Sequence, residues 1–491
     1  MLSRVIGLVR VKYIAWLLGH SDAADAFNAA FQLPDMVSYF LIGGAVSITF
    51  VTMLTRYRDL GQEAEGERTM SVVLTTMLVV LGGAVLIAEI AAPLYIHWWF
   101  NGFGPAKAAL CVHLTRILLP AQLCFFMGGV FGAVLLVRRV FSVQAVHPLV
   151  YNSGIVLGGV LLAHTAGVSG LAIGALSGAF LGPFLLNAIG AWRLGMRYRP
   201  VLDWSNPGLH EWVRLSLPLM LGVSLTTADN WIINHFASTI GGAITLLTYA
   251  KQIFTAPVAL GQAAGAASMP FLAALFGKPD RAPFARSINS SVSRVVGVSF
   301  LISAFLVAMA VPLVDVLLRG GAFHRADAKT MAGYLAIFSV SLFLWSAQAL
   351  YVRAFFAASN TVTPMIAGTI VTAVSIPVYW FLYRLLGPSG LAVASDVGIF
   401  IQTATLAVLL HRRRMVSLAG LDYGEIARAL LAASVSFAVL AGMAHLVHTG
   451  NQIWELALLV VACVTWLAVS TIVLRLSGSS LPNELLSRFA K

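Results

Sequence analysis

Apolar runs of about 20 residues, repeated from one end of the chain to the other with short polar breaks, leave little freedom in what it can fold into. They fall near residues 2–19, 25–54, 70–96, 109–136, 142–164 and 168–192. A second set falls near 212–236, 242–275, 290–318, 328–357, 362–385, 389–411, 426–447 and 453–475. A helix of about 20 residues crosses the ~30 Å hydrocarbon core of a bilayer and satisfies its own backbone there. Composition points the same way: 59% of the 491 residues are hydrophobic and 10% charged, against about 25% charged in soluble domains. The expected fold class is an all-α polytopic membrane protein with about 14 transmembrane helices. The longest connections, 55–68, 193–211 and 277–289, are too short to fold as catalytic domains. No enzyme is expected; the work is done inside the membrane.

The formal net charge of +12 is not read as a nucleic-acid signal, because the basic residues sit in short clusters between apolar runs. With the N-terminus inside, the cytoplasmic loops and tail carry twenty-one Lys and Arg, among them Arg56, Arg58, Arg138, Arg139 and Arg412-Arg413-Arg414. The opposite side carries five: Lys107, Arg319, Arg325, Lys329 and Arg384. This bias places both termini in the cytoplasm, which requires an even number of spans. The first run lacks a small-residue cleavage site and is read as span one, not a signal peptide. Cys111, Cys124 and Cys463, scattered in apolar runs, read as small core residues rather than disulfide or metal partners.

A faint internal repeat pairs Phe27–Pro34 with Thr248–Pro257, each followed by a Gly/Ala-rich stretch (residues 261–267 in the second). The organisation expected is a six-helix half over 1–200, a second over 201–415 related by pseudo-two-fold symmetry, and two further helices with a short tail over 416–491. Substrate sites in such plans lie between the halves.

An ionisable group in a bilayer costs several kcal/mol unless it pairs or faces water, which makes each one a functional candidate. The first half has Arg4, Arg10, Asp25, Asp35, Glu89 and Arg116; the second has Asp229, Lys251 and Asp396. Arg4 and Arg10 are six residues apart, about 120° around a helix and ~9 Å along it. With Lys12 they form a basic stripe suited to phosphate oxygens, which the forked guanidinium matches; Arg4 could equally snorkel to the interface. Asp25 opens span two, as a helix cap or a cargo contact. Asp35 follows Pro34, where freed backbone groups invite polar partners. Asp229 in Thr226-Thr227-Ala228-Asp229-Asn230 and Asp396 beside Ser395 suit a hard-cation or proton site, or an interhelical hydrogen-bond pair. Lys251 neutralises one of them or faces the cavity. No P-loop is present, so ATP does not drive the chain directly.

Leu2-Ser3-Arg4-Val5-Ile6-Gly7 with Arg10, then Asp25-Ala26-Phe27, Phe31 and Leu33-Pro34, resembles the opening of the MurJ/MviN lipid II flippases, fourteen-helix members of the MOP exporter superfamily. Further matches are Gly44-Ala45, Phe50-Val51, Leu221-Gly222-Val223-Ser224 and Asn360-Thr361-Val362-Thr363-Pro364. The resemblance implies an alternating-access flippase in the bacterial inner membrane. Its cargo would be the undecaprenyl-pyrophosphate-linked peptidoglycan precursor, carried from the inner to the outer leaflet for cell-wall synthesis. The expected partners are that lipid and the membrane lipids, no nucleic acid, and no second subunit. Substrate-binding residues would be Arg4, Arg10, Asp25 and Lys251. Family members with a cation site use helices seven, eleven and twelve, which makes Asp229, Ser375 and Asp396 the cation candidates. The coupling ion would be sodium or a proton; no cofactor or firm metal site is expected. Positions where the family often has an Arg pair and a Glu-Gly read Ser38-Tyr39 and Gly43-Gly44, and its Ala-Asp-Arg in span eight reads Ala250-Lys251-Gln252. Two alternatives stand beside lipid II: another lipid-linked oligosaccharide as cargo, or a drug/cation antiporter of the same superfamily.

Overall fold

The computed structural model describes residues 2–42, 45–277, 279–446 and 450–483, without the side chains of 2–4, 45–48, 218, 219, 221, 260, 261 and 263–270. The Arg4 side chain, Gly43-Gly44 and most side chains of the second Gly/Ala stretch therefore lie outside the described residues. Every apolar run meets a helical segment. Run one is α1 (Leu2–Leu18). Run two is broken into α2 (Asp22–Ala30), α3 (Gln32–Leu41) and α4 (Ala45–Asp59). Then follow α5 (Glu63–Trp99), α6 (Pro105–Leu118) continued by α7 (Ala121–Val137), and α8 (Ser142–Ala166). The sixth run is α9 (Ser169–Ala179), a π-helical turn (Phe180–Leu186) and α10 (Asn187–Arg193); the seventh is α11 (Pro207–Leu221) and α12 (Leu225–Ala237). The remainder are α13 (Ala243–Phe276), α14 (Ala282–Ala308) with α15 (Ala310–Leu318), and α16 (Arg325–Val340) with α17 (Leu342–Ala357). The last four are α18 (Val362–Leu386), α19 (Pro388–Arg412), α20 (Tyr423–Leu446) and α21 (Gln452–Leu476). Among the described residues there is no β-strand, and the fold is all-α and polytopic. Among the described residues nine helical segments are long and apolar enough to cross a membrane, ten if α16 and α17, bent by 44°, count as one. Of the other runs, α1 is short and charged, and the second and seventh are interrupted.

The ends and breaks follow local chemistry. Ser21 caps α2, its Oγ accepting from the Ala24 N–H at 3.3 Å. Asn206 caps α11 ahead of Pro207, its Oδ1 accepting from the Leu209 N–H at 3.1 Å. Pro183 cannot donate to the helical ladder, and the sixth run loosens there into a π-turn. Asn187 ties this stretch to α7, its Nδ2 donating to the carbonyls of Pro183 at 2.8 Å and Gly128 at 3.1 Å. The two segments of the faint repeat diverge in form: Phe27–Pro34 is split between α2 and α3, and Thr248–Pro257 lies unbroken within the 34 residues of α13.

The chain divides into two compact units, Met1–Gly222 with Ser238–Ile244, and Val223–Ala237 with Thr245–Lys491. The core of unit one joins α4, α5, α7 and α11 through Phe50, Met70, Leu81, Phe126 and Trp212. Beside it, α8 and α9 meet along glycines: a Cβ on Gly174 would stand 2.3 Å from the Gly154 carbonyl oxygen, and one on Gly158 2.4 Å from that of Gly170. Unit two packs α14, α17 and α19 around Phe284, Ile288, Leu350, Phe355 and Leu406. α20 and α21 lie against its α14 and α15, tied by a Ser436–Ser470 hydrogen bond of 2.9 Å and by Trp466 Nε1 donating to the Leu301 carbonyl at 2.9 Å. Cys111 and Cys124 are core residues, but Cys463 is exposed on the outward side of α21, whose apolar window is only 17% buried.

Candidate functional site

In unit one, Arg10 sits half-buried midway along α1. It and Asp35, the fourth residue of α3, both act electrostatically on the phenol of Tyr151 from α8, so the three share one neighbourhood. The Asp35 side chain is exposed. A guanidinium from α1, a carboxylate from α3 and a phenol from α8 are thus gathered together. Pro34, expected from sequence to free backbone groups for polar partners, belongs to the first turn of α3, where its missing N–H costs nothing. Among the other charges of this unit, Arg116 Nε donates to the Glu89 carbonyl at 3.1 Å.

Asp25 has a different setting. It is fully buried near the start of α2, and Lys107 Nζ donates to its Oδ2 at 2.7 Å. The Gly242 N–H donates to the same oxygen at 2.7 Å. Lys107 also reaches Asp22 at 2.9 Å and stands 4.5 Å above the Phe103 ring. Two glycines allow this approach. Gly242 has φ +77°, and a Cβ on Gly102 would fall 2.3 Å from the Thr239 Cα. A cavity of about 310 Å³ opens beside them, lined by Asp22, Lys107, Ser238 and Gly241 among others. Asp25 is thus a partner of Lys107. Sequence reasoning counted Lys107 only as an outer loop charge; its signal was its rarity on that side.

In unit two, the Asp229 carboxylate, fifth in α12, is fully buried and collects donors from three other helices. Lys251 Nζ (α13) and Ser395 Oγ (α19, 2.8 Å) donate to Oδ2, and the Tyr379 hydroxyl (α18) donates to Oδ1. The Lys251 ammonium lies 5.7 Å from the Trp345 ring centre and 5.9 Å from that of Phe338, both near enough for cation–π attraction. Asp396, one residue beyond Ser395, is within hydrogen-bonding reach of Ser341 and electrostatic reach of Asp229 and Lys251. Its Oδ1 is buried with no partner among the described residues. Ser375 is buried one turn before Tyr379, its hydroxyl proton committed to the Val371 carbonyl at 2.7 Å. The residues assigned from sequence to two roles, Lys251 to cargo and Asp229 to a cation, form a single buried ion pair. Sequence reasoning missed Tyr379, whose only signal is its i+4 relation to Ser375.

Outside the membrane, Arg56 and Glu211 make a two-pronged pair, Nη1 to Oε1 and Nη2 to Oε2, both 2.6 Å. The hydrogen bond from Arg56 holds the Glu211 carboxyl below its ordinary range.

A sequence model of the lipid II flippase MurJ family matches residues 14–465. The chain belongs to that family. A probable lipid II flippase MurJ of Vibrio cholerae serotype O1 is 27% identical, over 97% of this chain and 91% of the relative. One of Rhizobium meliloti is also 27% identical, over 89% and 84%. Among solved structures, a lipid II flippase MurJ in an inward closed conformation superposes with a TM-score of 0.80 at 20% identity, covering 96% of this chain and 97% of that one. An inward-facing multidrug resistance MATE family transporter of the MOP superfamily gives 0.69 at 15% identity, covering 84% and 98%. At those identities the superpositions show the fold alone, an all-α helix bundle; the family membership rests on the sequence.

Proposed function

We propose that this chain is an alternating-access flippase that moves lipid II, the undecaprenyl-pyrophosphate-linked peptidoglycan precursor, from the inner to the outer leaflet. It is a multi-pass protein of the bacterial inner membrane, works as a monomer, and keeps both termini in the cytoplasm. The Lys/Arg asymmetry of the loops supports that orientation. The observation that carries the reading is the gathering of Arg10, Asp35 and Tyr151, in a chain whose family match runs from residue 14 to 465. A pyrophosphate in hydrocarbon needs fixed donors to replace water. Arg10 offers a planar fork to two phosphate oxygens, and Asp35 and Tyr151 offer partners for sugar and peptide hydroxyls and amides. Asp25 serves differently, holding Lys107 and the backbone of Gly242 at the outer end of unit one.

The test is rescue of cells depleted of their own lipid II flippase. Arg10→Ala should abolish rescue while the protein stays at normal level in the membrane, and Arg10→Lys, which keeps the charge but loses the fork, should rescue weakly. Full rescue by Arg10→Ala would remove the assignment.

A further inference from the structure

We propose that Lys251 is a built-in counter-ion: its ammonium fills the place at Asp229 that a sodium ion would take, so the native centre is closed to sodium and opens to it when Lys251 is removed.

The centre has the parts of a hard-cation site in every respect but one. A fully buried carboxylate, a phenol and a serine hydroxyl converge from α12, α18 and α19, and oxygen donors of this kind are what small hard cations choose. A further oxygen, Asp396 Oδ1, is buried close by with no partner among the described residues. The exception is the Lys251 ammonium from α13. It donates to Asp229 Oδ2 and lies against the faces of Trp345 and Phe338, which favour a cation in that slot. A buried carboxylate with a bonded ammonium has its charge balanced already. A sodium ion entering beside it would meet a like charge about 4 Å away, which at an effective dielectric of ~20 weakens binding roughly a thousandfold. Remove the ammonium and the same oxygens face an uncompensated negative charge, for which a small monovalent cation is the simplest remedy.

The binding claim stands on the geometry alone. Its transport consequence, cargo movement indifferent to sodium, rests on the flippase reading. The test is therefore made on the purified full chain in detergent, without cargo. Thermal stability is compared in sodium chloride and in choline chloride at equal ionic strength. The native chain should show no sodium-specific rise. Lys251→Ala should be stabilised by sodium in a saturable way, with a dissociation constant at least a hundredfold below that of the native chain, and Asp229→Asn/Lys251→Ala should lose the response. Lys251→Met, which keeps an apolar stem in the aromatic slot, is the second variant; folding of either variant only in sodium also supports the proposal. Saturable sodium binding by the native chain overturns it, and so does indifference of both variants to sodium. A failure to rescue flippase-depleted cells would instead strike the flippase reading and leave this result untouched.

Discussion

Lys107 is the residue whose loss should be felt most in unit one, and the effect should be lopsided. Asp25 is fully buried, and Lys107 Nζ stands 2.7 Å from it. At an effective dielectric of 20 that contact is worth about 6 kcal/mol before desolvation; removing one member of such a buried pair costs about 3–5 kcal/mol net. Lys107→Met keeps the stem and deletes the charge, leaving the buried carboxylate without its ammonium while the Gly242 N–H still donates to it. We expect a loss near the lower figure, about 3 kcal/mol. Asp25→Asn should cost only about 1 kcal/mol, because its amide oxygen still accepts and Lys107 retains Asp22 at 2.9 Å. The double variant should resemble Asp25→Asn. A polytopic chain unfolds irreversibly, so the readout is the half-life of the folded protein in detergent at a fixed temperature. If the contact is lost at the unfolding barrier, Lys107→Met should shorten it about a hundredfold and Asp25→Asn about fivefold. A Lys107→Met half-life no shorter than that of Asp25→Asn would refute the buried-pair reasoning.

Two further outcomes follow from other contacts. Gly174→Val drives a side chain into the Gly154 carbonyl, 2.3 Å from where its Cβ must lie; with backbone on both sides unable to yield, it should cost about 3 kcal/mol. It should thereby reduce the monodisperse fraction recovered on gel filtration, while Gly82→Val, which meets nothing within 4 Å, should not. The Glu211 carboxyl is lowered by Arg56, so the pair stabilises the fold above the ordinary carboxylate pKa and ceases to do so as pH falls through the depressed one. The two side chains are 48% and 34% exposed, which limits the effect to about 0.5 kcal/mol; Glu211→Gln should therefore lower the melting temperature slightly at pH 7, and by less as the pH falls through the depressed carboxyl range.

The fourteen helical runs were legible because hydropathy over a 20-residue window reports what hydrocarbon demands of a chain. The breaks inside them were not. A window sums composition and carries no backbone direction, so the interruptions between α2 and α3, α11 and α12, and α16 and α17 leave no mark in it. The candidate site was legible by residue type: Arg10, Asp25, Asp229, Lys251 and Asp396 stand out because charges are rare in such runs. Their pairing was not, since it depends on which faces meet. Lys107 comes from the start of α6 to reach α2 across 82 residues, and Tyr379 reaches Asp229 across 150. Tyr379 carries no formal charge at all, and nothing in an apolar run separates a phenol that donates to a carboxylate from one that fills space.

The glycine contact between α8 and α9 has a consequence for temperature. Lipid tails are as apolar as leucine, so two helices in a bilayer gain little from hiding oily surface against each other. Where Gly154 and Gly158 face Gly170, Gly174 and Gly178, attraction comes from backbone atoms in direct contact, with no rotamers to freeze. The hydrophobic effect fades on cooling; dispersion between touching backbones does not. That hairpin should hold its geometry as firmly in the cold as in the warmth, giving unit one a rigid strut when the loops bathed in water have lost part of their grip.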